Sequence, residues 1–244
     1  MKVLIFGASA GLGRCLAEEL AGHGHDLLLI ASDLPDLDAM ASDIQLRFGV
    51  KTQTCASRVS TIGDWLKPVL EGLEAFGTPD ILMFPIGASS EEDQGLLGPS
   101  QARELVEVNF LAAVATVSAV LPDMLRRGTG LVVGFGSIAS ARGRRRNVVY
   151  AAAKRGLQSY FESLRHLTAG SGVRTQFFQM GYLRTQQSFG RRRLFPAADP
   201  RDLAREIVGG LHTREGVFFR PKYWRFVILV LRLLPWFVFR RLSF

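Results

Sequence analysis

Cysteine and histidine are scarce in this sequence. Two cysteines, Cys15 and Cys55, and four histidines are spread over 244 residues. Two distant cysteines cannot build a disulfide framework, and neither residue type shows the close spacing of zinc ligands. We therefore predict no metal site and a reducing compartment, the cytoplasm.

Long apolar runs are also missing. The N-terminal stretch MKVLIF reaches glycine after a run that is too short for a secretory signal peptide. Near the C-terminus, the longest unbroken apolar run covers residues 226–231, whereas a membrane-spanning helix needs about 20 residues. The sequence therefore predicts neither secretion nor a membrane span.

Acidic residues are fewer than basic ones. The chain has 22 Asp and Glu against 30 Lys and Arg, which gives a formal net charge of +8. Such an excess favours anionic partners: nucleic acid, acidic lipid or a phosphorylated ligand. Because no recognition helix and no basic strand interleaved with aromatic residues is evident, we predict no nucleic-acid partner.

Apolar strand-like runs alternate with helical patterns along the chain. The runs are apolar with almost no alternation, which is typical of strands buried on both faces of a parallel sheet. This order predicts an α/β fold, a Rossmann-type doubly wound parallel sheet of about seven strands flanked by helices. No break in composition precedes residue 220. We therefore predict one domain over residues 1–220 and an apolar, basic tail over residues 221–244.

The same patterns give element boundaries. The predicted strands are 3–6, 27–31, 52–56, 81–84, 131–135, 174–179 and 217–219. The predicted helices are 12–22, 35–48, 62–76, 101–127, 149–169 and 200–211.

A glycine-rich turn follows the first predicted strand. The stretch VLIFGASAGLG places Gly7, Gly11 and Gly13 between that strand and the first helix. Glycine permits a tight turn and lets backbone N–H groups approach a pyrophosphate, which the helix N-terminus also attracts. The spacing is G-x-x-x-G-x-G rather than G-x-G-x-x-G, but the position predicts a dinucleotide cofactor.

Three further motifs accompany this turn. YAAAK places Tyr150 and Lys154 four residues apart on one helix face. VGFGSIAS places Ser137 at the end of a strand, and VEVNF places Asn109 in the long middle helix. Together with the glycine spacing, these motifs resemble the short-chain dehydrogenase/reductase family over roughly residues 1–220.

The resemblance implies a division of roles among these residues. Tyr150 is the expected general acid/base for hydride exchange between a ketone and a nicotinamide. Lys154 is expected to lower the pKa of Tyr150 and to hold the nicotinamide ribose. Ser137 is expected to bind the substrate carbonyl, and Asn109 to support a water in the proton relay.

The resemblance also implies a set of cofactor-binding residues. That set comprises Gly7, Ser9, Ala10, Gly11, Leu12, Gly13, Ser32, Asp33, Arg58, Val59, Gly87, Tyr150, Lys154, Gly181 and Thr185. The cofactor is NAD or NADP. We lean slightly to NADH because Asp33 could reach the ribose. Ala31 and Ser32 supply neither the acidic residue typical of NAD enzymes nor the arginine typical of NADP enzymes. Arg58 could stack on the adenine or be a solvated loop residue.

Two arginine clusters flank the predicted active site. Arg142, Arg144, Arg145 and Arg146 lie between Ser137 and Tyr150, and Arg191, Arg192 and Arg193 follow Thr185. In this family both segments border the substrate, so the clusters are predicted to bind an anionic substrate. A solvated basic surface is the alternative for any single arginine.

The tail combines apolar and aromatic residues with flanking arginines, as interfacial membrane segments do. It could contact a membrane surface at its inner face, or be buried between subunits. The resemblance implies a homodimer or homotetramer paired through helices 101–127 and 149–169.

The arginine loop, the Tyr-x-x-x-Lys helix and the tail are similar to one subgroup of this family. Its members reduce a 2-keto pentose on decaprenyl phosphate, acting with a flavin oxidase as an epimerase. The leading hypothesis is therefore reduction of a keto-sugar on a polyprenyl phosphate. A reductase of another lipid or acyl-carrier ketone, and a non-catalytic dinucleotide sensor, are the alternatives.

Overall fold

A parallel sheet forms the centre of the molecule, for which a computed structural model describes residues 1–60, 64–184, 195–212 and 215–242. Within those ranges seven strands pair in the order β3-β2-β1-β4-β5-β6-β7. They are β1 Lys2–Phe6, β2 Asp26–Ala31, β3 Thr52–Ala56, β4 Ile81–Phe84, β5 Gly130–Ser137, β6 Val173–Met180 and β7 Gly216–Arg220. The predicted fold class and all seven predicted strands are confirmed.

Helices connect consecutive strands, and the last two of the described helices follow β7. They are α1 Gly11–Gly22, α2 Leu34–Phe48, α3 Leu66–Phe76, α4 Pro99–Val106, α5 Ala112–Arg127, α6 Val148–Leu167, α7 Pro200–Val208, α8 Trp224–Leu233 and α9 Trp236–Phe239. The helix predicted over residues 101–127 is continuous but contains a π-helical turn, Glu107–Leu111, between α4 and α5. A short 3₁₀ turn, Ile138–Ala141, follows β5.

Each face of the sheet carries its own apolar core. One core joins the strands to α1, α2 and α7, and the other joins them to α3, α5 and α6. Every residue of β4 is buried, as are the last four of β1. This burial on both faces explains why the strand sequences lack an alternating pattern.

The strand order reverses direction between β1 and β4. Chain connections leave β1 towards β2 on one side and β4 towards β5 on the other. In open parallel sheets the crevice at such a reversal, beyond the carboxyl ends of the strands, is where ligands bind. Residues that follow β1, β4 and β5 should therefore form the site.

The described part of the tail packs on the domain. Trp224, Ile228 and Phe239 are buried, whereas Phe226, Leu233 and Trp236 are 70%, 74% and 66% exposed. Among the described residues, one helical stretch is long and apolar enough to cross a membrane, Pro99–Arg127. It contains the inner helix α5, whose buried face packs against the sheet.

Candidate active site

A cavity of about 640 Å³ opens at the carboxyl ends of β1, β4 and β5. Its volume is in the range of small-molecule and cofactor sites. Many residues predicted to bind the cofactor or to take part in catalysis line it: Gly7, Ser9, Ala10, Gly11, Leu12, Ser32, Arg58, Val59, Gly87, Ser137, Tyr150, Lys154 and Gly181. The fold thus brings together segments that are far apart in sequence.

The glycine turn closes tightly at the start of this cavity. Gly7 has a φ of 96°, and a Cβ on it would lie 2.7 Å from the Ile86 Cα. Its N–H donates to the Ile30 carbonyl at 2.8 Å. Gly13 lies behind the turn, where a Cβ would overlap the Gly7 carbonyl. Gly13 therefore allows α1 to pack closely, without lining the cavity itself.

Tyr150 is in the first turn of α6 and faces Ser137 at the end of β5. Burial raises the pKa of the Tyr150 phenol, while a hydrogen bond with Ser137 and the positive charge of Arg144 oppose that rise. Desolvation of the phenolate outweighs these favourable contacts, and the effect of Lys154 on the Tyr150 pKa stays a prediction. A phenol with a raised pKa stays protonated at neutral pH and can donate a proton.

Lys154 lies one turn after Tyr150, with 4% of its surface exposed. Its Nζ donates to the carbonyl of Ile86 at 3.0 Å and to that of Phe135 at 3.2 Å. Burial lowers the pKa of Lys154 to about 8. The two carbonyls hold the ammonium at the junction of β4 and β5, beside the cavity.

Asn109 is buried in the π-helical turn and holds the loop that follows β4. Its Nδ2 donates to the carbonyls of Ala88 at 2.8 Å and Leu105 at 2.9 Å, and its Oδ1 accepts from the Ala88 N–H at 3.3 Å. A Cβ on Gly87 would lie 3.1 Å from this Oδ1 and 3.3 Å from the Lys154 Nζ. Gly87 thus leaves space for both polar groups, and π-helical turns occur frequently at functional sites.

The end of β2 differs from the prediction. Asp33 is the N-cap of α2, where its Oδ1 accepts from the Asp36 N–H at 3.2 Å, and it does not line the cavity. Ser32 and Arg58 do line it. The lean to NADH depended on Asp33, and capping gives that carboxylate a different partner.

Members of the first arginine cluster point in different directions. The Arg142 Nη1 donates to the carbonyls of Leu231 at 2.6 Å and Leu234 at 2.5 Å, and its guanidinium lies 4.0 Å from the Phe239 ring centroid. The prediction that Arg142 binds substrate is therefore wrong: it caps the C-terminus of α8, where free carbonyls and the helix dipole attract a cation.

Within the same cluster, Arg144 lines the cavity, whereas Arg145 and Arg146 are exposed and do not line it. The assignments of Arg145 and Arg146 to the substrate stay predictions. Thr185 and the second cluster, Arg191, Arg192 and Arg193, lie outside the described residues.

Two features of the site have no local signal in the sequence. The carboxylate of Asp93 accepts from the N–H groups of Val149 and Tyr150. Gln179 Nε2 donates to the Ser140 Oγ at 3.2 Å, and that hydroxyl donates to the Ser137 carbonyl at 2.6 Å. Both networks hold catalytic segments, but their partners are distant along the chain, so residue spacing could not reveal them.

Known proteins provide an independent comparison with this fold and site. A family model described as short chain dehydrogenase matches residues 1–192. The chain therefore belongs to the short-chain dehydrogenase/reductase family, and it is an NAD(P)-dependent oxidoreductase. An uncharacterized oxidoreductase of Myxococcus xanthus is 32% identical over 183 residues, covering 75% of this chain and 72% of the relative.

Two other comparisons extend further along the chain. An uncharacterized oxidoreductase of Mycobacterium tuberculosis is 25% identical over 240 residues, covering 98% of this chain and 96% of the relative. The structure of a short-chain dehydrogenase from Sphingobium yanoikuyae in complex with NADPH has a TM-score of 0.84 at 26% identity, covering 94% of this chain and 91% of that chain.

The residues present fit a nicotinamide dinucleotide. Gly7 and Gly11 of the glycine turn line the cavity at the N-terminus of α1, where a pyrophosphate is favoured. Arg58 and Val59 line the cavity with Ser32, and Tyr150 and Lys154 line it with Gly181. The first group would hold the adenosine half and the second the nicotinamide half.

Proposed function

We propose that the protein reduces a ketone by hydride transfer, and that the ketone is a keto-sugar carried on a polyprenyl phosphate. The bound nicotinamide cofactor supplies the hydride. The Ser137 hydroxyl binds the carbonyl oxygen, and Tyr150 gives its proton to the developing alkoxide. The raised pKa of Tyr150 supports this direction, because the phenol is protonated at neutral pH.

One observation carries the substrate proposal: the short segment 142–144 places one arginine in the cavity and another against the apolar tail. Arg144 lines the cavity beside Tyr150, and Arg142, two residues earlier, binds the end of α8. A guanidinium in the cavity suits a phosphate. The exposed apolar side chains of α8 suit the lipid to which that phosphate is attached.

The test compares Arg144→Ala with Arg145→Ala on two ketones, a polyprenyl-phosphate 2-keto pentose and the corresponding free keto-pentose. We expect Arg144→Ala to raise the KM for the phosphate-bearing ketone about 10- to 100-fold, as the loss of one charge-assisted hydrogen bond implies. The KM for the free sugar should change little, and Arg145→Ala should have a smaller effect on both.

Equal losses on both ketones in Arg144→Ala would contradict phosphate binding. Such a result would favour an acyl or other lipid ketone. Failure of the wild-type protein to oxidise NADH or NADPH with any ketone would favour the dinucleotide sensor.

We propose NADPH as the preferred cofactor. The described residues at the adenosine end of the cavity supply the Arg58 guanidinium and no carboxylate, which favours an added 2′-phosphate. The similar enzyme from Sphingobium yanoikuyae was solved with NADPH. Arg58→Ala should weaken NADPH binding more than NADH binding, as measured by fluorescence titration; equal weakening would contradict this preference.

We propose that the protein is cytoplasmic and binds the inner membrane face through the exposed side of α8 and α9. Phe226, Leu229 and Trp236 are more than half exposed, and Arg225 and Arg232 on the same helix are exposed as well. This combination favours an anionic lipid surface. The variant Phe226→Ser/Leu229→Ser/Trp236→Ser should lose flotation with anionic vesicles. Unchanged flotation together with a smaller assembly would instead assign this face to a subunit interface.

We also propose a homodimer or homotetramer paired through the outer faces of α4, α5 and α6. Leu111 and Leu125, which are 36% and 37% exposed, lie in this long helical region. Light scattering of the full-length chain tests the assembly, and a monomer at micromolar concentration would contradict it.

A further inference from the structure

A single buried carboxylate lies in the exposed loop between β4 and α4. Asp93 is 1% exposed, whereas its neighbours Glu91, Glu92 and Gln94 are exposed. Burying an ionised carboxylate is costly unless hydrogen bonds replace its water. The partners of Asp93 therefore indicate what the loop holds.

The partners of the Asp93 carboxylate and of its backbone carbonyl are all at the start of α6, while its N–H donates to the Ser90 carbonyl within the loop. The Asp93 Oδ1 accepts from the Val149 N–H at 3.0 Å, and its Oδ2 accepts from the Tyr150 N–H at 2.9 Å. The Asp93 backbone carbonyl accepts from the Asn147 N–H at 2.6 Å. One residue thus binds three backbone N–H groups of the turn that carries Tyr150.

The side chain of the N-cap residue of α6 does not accept from these N–H groups. Asn147 precedes α6 with a φ of 56°, and its side chain makes no capping hydrogen bond. The first N–H groups of a helix need acceptors, and the helix dipole favours a negative charge there. Asp93 supplies both from a segment more than fifty residues earlier in the chain.

The same loop is fixed at its other end by Asn109, which is predicted to support a water in the proton relay. Asn109 binds both backbone polar groups of Ala88, and Gly87, Ala88 and Ser89 line the cavity. The loop therefore joins Asn109 at one end to the Tyr150 turn at the other.

We propose that Asp93 is a positioning residue, which fixes the first turn of α6 so that the Tyr150 hydroxyl is aligned with Ser137 in the crevice. Its main effect is on the rate of proton donation, because most residues that would hold the cofactor, from the glycine turn to Arg58, lie outside this turn. Displacement of a catalytic group by about 1 Å can lower a rate about 100-fold.

The test uses the full-length protein, with the polyprenyl-phosphate 2-keto pentose as probe and three variants. Asp93→Ala removes all side-chain acceptors, and Asp93→Asn keeps one. Glu92→Gln removes a charge from the same loop and can still accept from Gln101, which contacts the Glu92 Oε2 at 3.4 Å. We expect kcat to fall about 100-fold in Asp93→Ala and about 10-fold in Asp93→Asn, with the cofactor Kd changed by less than about threefold. Glu92→Gln should retain the wild-type kcat.

If Asp93→Ala does not fold, Asp93→Asn decides the question. Either a kcat for Asp93→Asn equal to that of Glu92→Gln, or a parallel loss of kcat and cofactor affinity, overturns the proposal. If the wild-type protein does not reduce the probe, the proposed substrate fails and hydrogen exchange decides the role of Asp93. Faster hydrogen exchange in Asp93→Asn, confined to the Val149 and Tyr150 amides, supports the proposal that Asp93 fixes this turn. Unchanged exchange overturns the proposal.

Discussion

The catalytic crevice and the C-terminal tail differ in which side chains they bury. The crevice buries polar side chains, whereas the tail exposes apolar ones. In the crevice, Asn109 and Lys154 are almost fully buried, and each donates to two backbone carbonyls. In the tail, the exposed face of α8 is largely apolar, and Phe226 and Leu233 face solvent. The crevice is thus preorganised for chemistry, whereas the tail presents a surface that another apolar phase could cover.

Two arginines mark the boundary between these regions. Arg142 belongs to the tail, because it binds carbonyls at the end of α8. Arg144 belongs to the crevice, because it lines the cavity and its charge reaches Tyr150. Identical residues two positions apart therefore have different roles, and substitutions at the two positions should separate chemistry from stability.

The largest expected effect is a loss of activity at the crevice with no change in membrane binding by the tail. Tyr150→Phe removes the proton donor and should lower kcat by about 10²- to 10⁴-fold, the usual contribution of general acid catalysis. Its flotation with vesicles should equal that of the wild-type protein. Steady-state kinetics and flotation of one preparation check both, and a kcat within threefold of wild type would contradict the role of Tyr150.

A pH dependence should follow from Lys154. Its pKa is about 8, so the ammonium is charged below that pH and neutral above it. We expect kcat/KM for ketone reduction to fall as pH rises through 8, because the positive charge that we propose to hold the cofactor ribose is lost. The slope should be about tenfold per pH unit.

The control is Lys154→Arg, whose guanidinium stays charged across this range. Its activity should be lower overall, but the fall near pH 8 should be absent. The same fall in this variant would assign the titration to another group.

The smallest expected effect is a loss of folding stability when the contact between Arg142 and the tail is removed. Arg142→Ala should lower the free energy of unfolding by about 2 kcal/mol, from two lost hydrogen bonds and one cation–π contact. The matched control Arg145→Ala is at an exposed position, and its change should be within about 0.5 kcal/mol. Urea unfolding measures both, and equal effects would contradict the assignment of Arg142 to the tail.

Patterns within one element were enough to predict the fold. Each buried strand is a short apolar run, and Tyr150 and Lys154 are one helical turn apart, so local spacing carries the information. The roles of Arg142 and Asp93 depend on partners 89 and 56 residues away, which no local pattern contains. Asp33 illustrates a competing local role, since an aspartate after a strand suits both a ribose and a helix N-cap.

The most direct measurement follows the hydride. Full-length protein is incubated with NADPH deuterated at the transferred position and with the polyprenyl-phosphate 2-keto pentose in anionic vesicles, and the product is examined by mass spectrometry. The wild-type protein should form an alcohol carrying the deuterium, and Tyr150→Phe should form almost none. An alcohol without deuterium, or equal product from both proteins, would contradict ketone reduction at this crevice.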